Sequence, residues 1–221
     1  MKPDFDIISN NKEALDAIMS NLTDQDRDHA DFYSYKVDDV NDVLMSGGRA
    51  YLLAVEYGKR IPNNVIERYE YTGGAVFNIH RADPRKYAGA SVLNHQILKG
   101  ERNVALTLLR VRASEPLDGG EIVSSWPLNI EGLLYPEVVG LCRKHYMSVV
   151  MDAIRYTKSE EPAFPPPNNK YRRRSPEDSL VPLGTTAKRI IMAADNERFP
   201  AFFMLGGRKI ILKAYPEAPP E

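Results

Sequence analysis

Val138, Leu141, Cys142, Tyr146, Val149, Val150, Ala153 and Ile154 fall on one face of a single helix. An apolar stripe of that length faces a core. Pro136 suits the first turn of this helix, where a missing N–H costs nothing. The segments before it read as strands. Tyr51 to Tyr57 is a buried run ending at Gly58, and Val65 to Tyr71 alternates before stopping at Thr72-Gly73-Gly74. Ala75 to His80 is then placed to return as a hairpin partner. Asn103 to Ala113 is rich in Val, Leu and Thr, and Glu121 to Leu128 follows the turn Asp118-Gly119-Gly120. An antiparallel meander is therefore expected in the middle of the chain.

The flanks supply the remaining elements. Phe5 to Ile8 reads as a short first strand, and Ser9 or Asn10 can cap a helix carrying Leu15, Ile18, Met19 and Leu22. Thr23 to Asp26 opens an acidic helix start. Val37, Val40, Val43 and Leu44 mark a further helix, ended by Ser46-Gly47-Gly48. Towards the C-terminus a strand is expected over Arg189 to Ala193, a short helix around Phe199 to Leu205, and a strand over Lys209 to Ala214. The expected class is α+β, a mixed and mostly antiparallel sheet flanked by helices. The organisation expected is one domain over residues 1–221, with an irregular Pro-rich basic loop at about 160–183.

Composition narrows the function classes. The chain is 43% hydrophobic and 27% charged, the balance of a folded protein. Lys+Arg 29 against Asp+Glu 30 gives a net charge of -1, which argues against nucleic-acid binding by bulk charge. The lone cysteine, Cys142, excludes an intrachain disulfide framework, and with four His no metal site is expected. The N-terminus has no apolar signal core and no stretch is long enough to span a bilayer, so a reducing cytoplasm is the expected setting and no membrane partner is expected.

The element order resembles the GNAT (Gcn5-related N-acetyltransferase) fold. Two segments carry the likeness by residue. Glu137-Val138-Val139-Gly140-Leu141-Cys142 sits where that family places Gln/Arg-x-x-Gly-x-Gly/Ala, and Ala194 to Arg198 with Phe199, Phe202, Phe203 and Leu205-Gly206-Gly207 resembles its final strand-to-helix passage. The resemblance implies an acetyltransferase using acetyl-CoA on an amine substrate. The cofactor would lie between diverging strands ending near Leu128 and Ala193, touching Leu128, Ile130, Val138, Val139, Gly140, Leu141, Cys142, Arg143, Asp195, Asn196 and Phe202. Its pyrophosphate would rest on helix-start amides. Glu137 departs from the pattern, because a carboxylate repels phosphate, and Phe202 stands where active members often keep a proton-donating Tyr. These departures resemble a branch of GNAT-like tailed-phage proteins that includes the internal virion protein of T7-like podoviruses. A catalytically silent, virion-associated or host-protein-binding role therefore stands beside the enzyme reading, with a host cytoplasm or virion as its location.

An acetyltransferase also needs a base, for which Glu56, Glu70 and Glu121 are candidates on or beside predicted strands. His80 and His95 are candidates to shuttle protons but lie in no recognisable catalytic spacing, so turn or surface roles are expected. Cys142 falls on the apolar stripe and reads as core. Lys170, Arg172, Arg173 and Arg174 form the densest charge in the chain and suit an acidic protein partner.

Overall fold

The computed structural model describes residues 2–45, 49–159, 170–171, 174–180, 187–205 and 207–215. The chain begins with β1 (Asp4–Ser9), α1 (Lys12–Met19), α2 (Asp24–His29), β2 (Asp31–Lys36) and α3 (Asn41–Met45). It continues through β3 (Tyr51–Val55), α4 (Asn63–Tyr71), β4 (Ala75–His80), the short β5 (Ala88–Gly89) and α5 (Val92–Lys99). Then come β6 (Asn103–Val111), β7 (Glu121–Asn129), the long α6 (Tyr135–Ser159) and β8 (Lys170–Tyr171). A 3-10 turn at Pro176–Ser179, α7 (Ala187–Met192), β9 (Ala201–Leu205) and β10 (Arg208–Leu212) complete it. Ser46-Gly47-Gly48, Arg172, Arg173, Gly206, most of the basic loop and the C-terminal tail lie outside the described residues.

Six strands form one sheet in the order β2-β1-β3-β4-β6-β7. β1 pairs in parallel with β2 and β3, and β3 with β4, whereas β4–β6 and β6–β7 are antiparallel. The fold is thus mixed α/β, with a largely parallel sheet between helices, and the expected antiparallel meander survives over β4, β6 and β7. β4 is the strand on which the parallel half meets the antiparallel half.

The main correction lies at residues 63–71. Val65, Ile66 and Tyr69 are buried while Glu67 and Arg68 are exposed, which is the spacing of a helix face and not of a strand. A helix there is also what the topology needs, because two parallel neighbours must be joined by a crossover and not by a tight hairpin. At the other end of the chain, residues 187–192 form α7 where a strand was expected, and Phe202 and Phe203 lie in β9 where a helix was expected. β9 pairs with β10 as an antiparallel hairpin; its aromatic and branched residues suit a pleated ribbon.

The sheet is covered on both faces. Phe5, Ile7, Leu53, Val55, Phe77 and Ile79 meet the stripe of α6 and the inner side of α1. On the opposite face Ile8, Leu52, Ala54 and Val76 meet Val65, Ile66 and Tyr69 of α4. Double coverage explains why β1 and β3 read as continuous apolar runs. Among the described residues no helix is long and apolar enough to cross a membrane.

Candidate functional site

In a covered parallel sheet, polar side chains at the carboxyl ends of the strands border the natural ligand crevice. β4 delivers two of them. Asn78 and His80 are two residues apart, so they share a face, and they follow Val76 towards the strand's end. The chain leaving β4 is tied down by the Thr107 hydroxyl, which donates to the Ala82 carbonyl at 2.7 Å.

The third group comes from the β6–β7 turn. Asp118 has a φ of 55°, in the left-handed region that Asp tolerates better than most residues. Two residues on, the chain enforces this turn, since a Cβ on Gly120 would lie 2.2 Å from the Arg110 carbonyl oxygen. Asp118 Oδ1 then sits 3.4 Å from His80 Nδ1 and 3.4 Å from Asn78 Nδ2. Its other oxygen, Oδ2, accepts from the Gly89 amide at 2.7 Å. On the far side of the imidazole, Nε2 lies 2.7 Å from the Tyr87 carbonyl oxygen. A carbonyl can only accept, so Nε2 carries a proton and Nδ1 is left to exchange one beside the carboxylate. The His80 and Asp118 side chains are each only 6% exposed. Asn78 is half-buried and, among the described residues, makes no side-chain bond shorter than its 3.4 Å contact, so it keeps donor capacity.

A second polar cluster occupies the same end of the sheet, on the side of α1 and α6. Glu56 follows β3 with a φ of 47°, a left-handed turn that breaks the strand. Its carboxylate accepts from Arg143 Nε at 3.1 Å and Nη2 at 3.2 Å, from the Tyr146 hydroxyl at 2.8 Å, and from Asn11 Nδ2 at 2.9 Å. Arg81, the residue after His80, approaches Glu56 at 3.6 Å. Burial works to raise the Glu56 carboxyl, but Arg81, Arg143 and Tyr146 more than offset it and hold the group below the ordinary carboxylate range. A cleft of about 420 Å³, lined in part by Asp83, Lys86, Tyr87, Glu101 and Pro127, opens beside the same loop but does not include the Asn78–His80–Asp118 cluster.

The residues expected to hold acetyl-CoA are placed otherwise than that ligand requires. Residues 187–192 are helical and β7 is paired with β6 from Glu121 to Asn129, so among the described residues no slot opens between diverging strands ending near Leu128 and Ala193. Leu128, Ile130, Val138 and Cys142 are core residues, with Val139 and Leu141 packed against them. The amide of Val138 is bonded to the Leu134 carbonyl, and the Glu137 carboxylate accepts from the Leu134 amide at 2.7 Å. Glu137 thereby caps the start of α6, leaving no pyrophosphate cradle there. A Cβ on Gly140 would meet nothing within 4 Å, so no close approach demands that glycine. Asp195 accepts from the amides of Glu197 and Arg198, Asn196 bonds both backbone groups of Ala214, and Phe202 lies under Lys209.

Of the base candidates, Glu70 and Glu121 pair with Arg112 at 4.0 and 2.9 Å, and Glu56 is the buried hub above. Arg174 is not available to an acidic partner. It is 3% exposed and donates to the carbonyls of Ala193 and Asp178. Lys170 lies in β8, paired with β5. His95 lies on α5, whereas His80 stands at the centre of the first cluster. Asn78 and Asp118 were not singled out from the sequence. The available signal was Asn-x-His closing a β-type run, with an Asp-Gly-Gly turn after the next strand.

No family model matches the chain. Among curated proteins, it is 24% identical over 124 residues to a methionyl-tRNA formyltransferase from Orientia tsutsugamushi, a match covering 56% of this chain and 39% of that enzyme. The chain therefore spans well under two thirds of that relative's length. HypX from Aquifex aeolicus in complex with tetrahydrofolic acid superposes with a TM-score of 0.79 at 18% identity, covering 98% of this chain and 38% of that one. A likely sugar N-formyltransferase from Mycobacterium tuberculosis gives 0.74 at 18% identity, over 98% of this chain and 100% of that chain. These likenesses establish the fold. They also overturn the GNAT resemblance, its phage branch, and with them the acetyltransferase and acetyl-CoA expectations: the methionyl-tRNA and sugar enzymes among the similar proteins are formyltransferases and not acetyltransferases.

Proposed function

We propose that the Asn78–His80–Asp118 cluster transfers a formyl group from 10-formyltetrahydrofolate to an amine. The observation that carries this reading is the convergence of an amide donor, an imidazole and a carboxylate at the junction of β4 with the β6–β7 turn. The similarity to formyltransferases, and to HypX bound to tetrahydrofolic acid, supports it.

The donor set fits such a co-substrate. Asn78 has N–H capacity to spare beside a proton-exchanging ring nitrogen, which is what a formyl oxygen and its neighbouring nitrogens require. The loop from Arg81 to Ala90 and the turn from Pro116 to Gly120 flank the cluster and would hold the donor. When bound, the donor supplies a formyl carbon on a nitrogen leaving group. Asn78 Nδ2 then donates to the formyl oxygen as negative charge develops there. His80 takes the amine's proton at Nδ1 and returns it to the departing nitrogen, so one C–N bond forms as another breaks with no net proton consumed. Asp118 balances the charge on the ring while it carries that proton, and Tyr87 holds the ring's orientation through Nε2.

The same reading treats residues 1–221 as one catalytic domain, because one of its apolar clusters joins β1 to Ala193 across the sheet and α6. It also suits a reducing cytoplasm, where Cys142 stays a buried thiol. The test is incubation with 10-formyltetrahydrofolate and a panel of amines that includes amino-sugar nucleotides and methionyl-tRNA. Tetrahydrofolate release and a mass gain of one CO unit on the acceptor are expected. Release no faster than in buffer with every acceptor defeats the reading.

A further inference from the structure

The neutral His80 ring has one proton to place and two acceptors competing for it. Asp118 Oδ1 lies 3.4 Å from Nδ1 and carries a charge, whereas the Tyr87 carbonyl oxygen lies 2.7 Å from Nε2 and is neutral. At equal distance the charged acceptor is the stronger. If the carbonyl drew away, the proton would move to Nδ1 as a donor to Asp118, and the nitrogen facing the carboxylate would no longer be a base. Whatever keeps the carbonyl close therefore decides whether the ring can accept a proton at Nδ1.

The backbone after Tyr87 is a poor restraint, because Gly89, two residues on, has a φ of 105° and the rotational freedom of glycine. The Tyr87 side chain supplies a better one. Its ring is buried with Ala82 and Val92, and its hydroxyl donates to Glu101 Oε1 at 2.7 Å. Lys99 Nζ stands over the same ring, 5.1 Å from its centroid. Glu101 is placed in turn by the end of α5. Gly100 caps that helix with a φ of 75°, and the Glu101 amide donates to the Gln96 carbonyl at 3.1 Å. The Gln96 side chain also donates to the Arg81 carbonyl at 2.9 Å, so α5 and the turn after it hold the segment that leaves β4 at both Arg81 and Tyr87. Tyr87 and Glu101 both line the cleft beside this loop.

Resting on the formyl-transfer reading, we propose that the Tyr87 side chain is a positioning device for His80: its phenol, anchored on Glu101, holds the Tyr87 carbonyl against Nε2 and so keeps Nδ1 unprotonated and able to take the amine's proton. Neither the phenol nor Glu101 belongs to the Asn78–His80–Asp118 cluster. Both act through the imidazole, by deciding which of its nitrogens carries the hydrogen.

The test has two readouts on the full chain, comparing wild type with Tyr87→Phe, Glu101→Ala, Glu101→Gln and the combined Tyr87→Phe/Glu101→Ala variant. Tyr87→Phe keeps the buried ring and Glu101 is exposed, so all should stay folded. The first readout needs no substrate: NMR of the His80 ring nitrogens, at a pH where the ring is neutral, shows which one bears the proton. Wild type should show Nε2–H. Tyr87→Phe and Glu101→Ala should each move population to Nδ1–H, and Glu101→Gln should regain much of the wild-type signal, because an amide oxygen still accepts from the phenol. The second readout is formyl transfer. Its kcat should fall by about tenfold in Tyr87→Phe and in Glu101→Ala, the worth of one charge-assisted hydrogen bond, with KM nearly unchanged. The combined variant should lose no more than either alone, since both break the same bond. A wild-type ring signal in both single variants, or rate losses that multiply in the combined one, overturns the proposal. The shift of the ring proton without formyl transfer by wild type to any amine would instead defeat only the functional reading beneath it.

Discussion

The Tyr87 carbonyl oxygen lies 2.7 Å from His80 Nε2 and so fixes which imidazole nitrogen faces Asp118. Removing the ring should therefore remove the proton exchange without unfolding the sheet. His80→Ala is expected to lower kcat for formyl transfer by about 10²- to 10⁴-fold, the usual worth of a positioned acid–base group. Asn78→Ala should cost about 10²- to 10³-fold, as for loss of one donor to a developing oxyanion. Single-turnover measurement of tetrahydrofolate release checks both, and a loss below threefold in either variant removes that residue from the mechanism.

Gly120 is expected to tolerate no side chain. The added methyl of Gly120→Ala would meet backbone, not a flexible side chain, at the Arg110 carbonyl. The turn must shift, at a cost of about 1–3 kcal/mol, and Asp118 moves with it. Denaturant melts should show the destabilisation and the transfer assay a loss of rate; an unchanged variant in both assays would show that the turn does not set the carboxylate.

Glu56 ties acid stability to the second cluster. Its folded carboxyl is held below the ordinary value of 4.5, so its contribution is complete above that pH and is lost as the pH falls through the lower folded value. Glu56→Gln leaves Arg143 less compensated and should destabilise at neutral pH by about 3 kcal/mol. The difference from wild type should narrow below pH 4.5. Paired melts across that range test it, and a gap that stays constant with pH would contradict the assignment.

Cys142 is fully buried on α6, and burial pushes its thiol up to about 11. In the native protein at pH 8 it should resist iodoacetamide, and it should alkylate promptly in denaturant. Intact-mass measurement before and after unfolding distinguishes the two, and rapid native labelling would place the thiol outside the core.

Much of the local structure was legible in the residues. The stripe from Val138 to Ile154 predicts α6, and the Thr and Val runs predict β6. Residues 63–71 misled because a short segment of alternating polarity fits both periods. Val65, Ile66 and Tyr69 become a helix face only once β3 and β4 are seen to run in parallel. The candidate cluster was less legible still. His80 has no catalytic neighbour within a few residues, and Asp118 looks like an ordinary turn residue until the turn folds over the end of β4.

The sequence by itself determined which segments are buried and where the chain turns, because apolar periodicity and glycine act over a few residues. Tertiary structure alone decided that β1, β3 and β4 lie side by side in parallel, and that decision sets the chemistry. Strand partners are chosen by crossovers and by burial on both faces of the sheet, so residues 40 apart, Asn78 and Asp118, meet only when the whole sheet has formed.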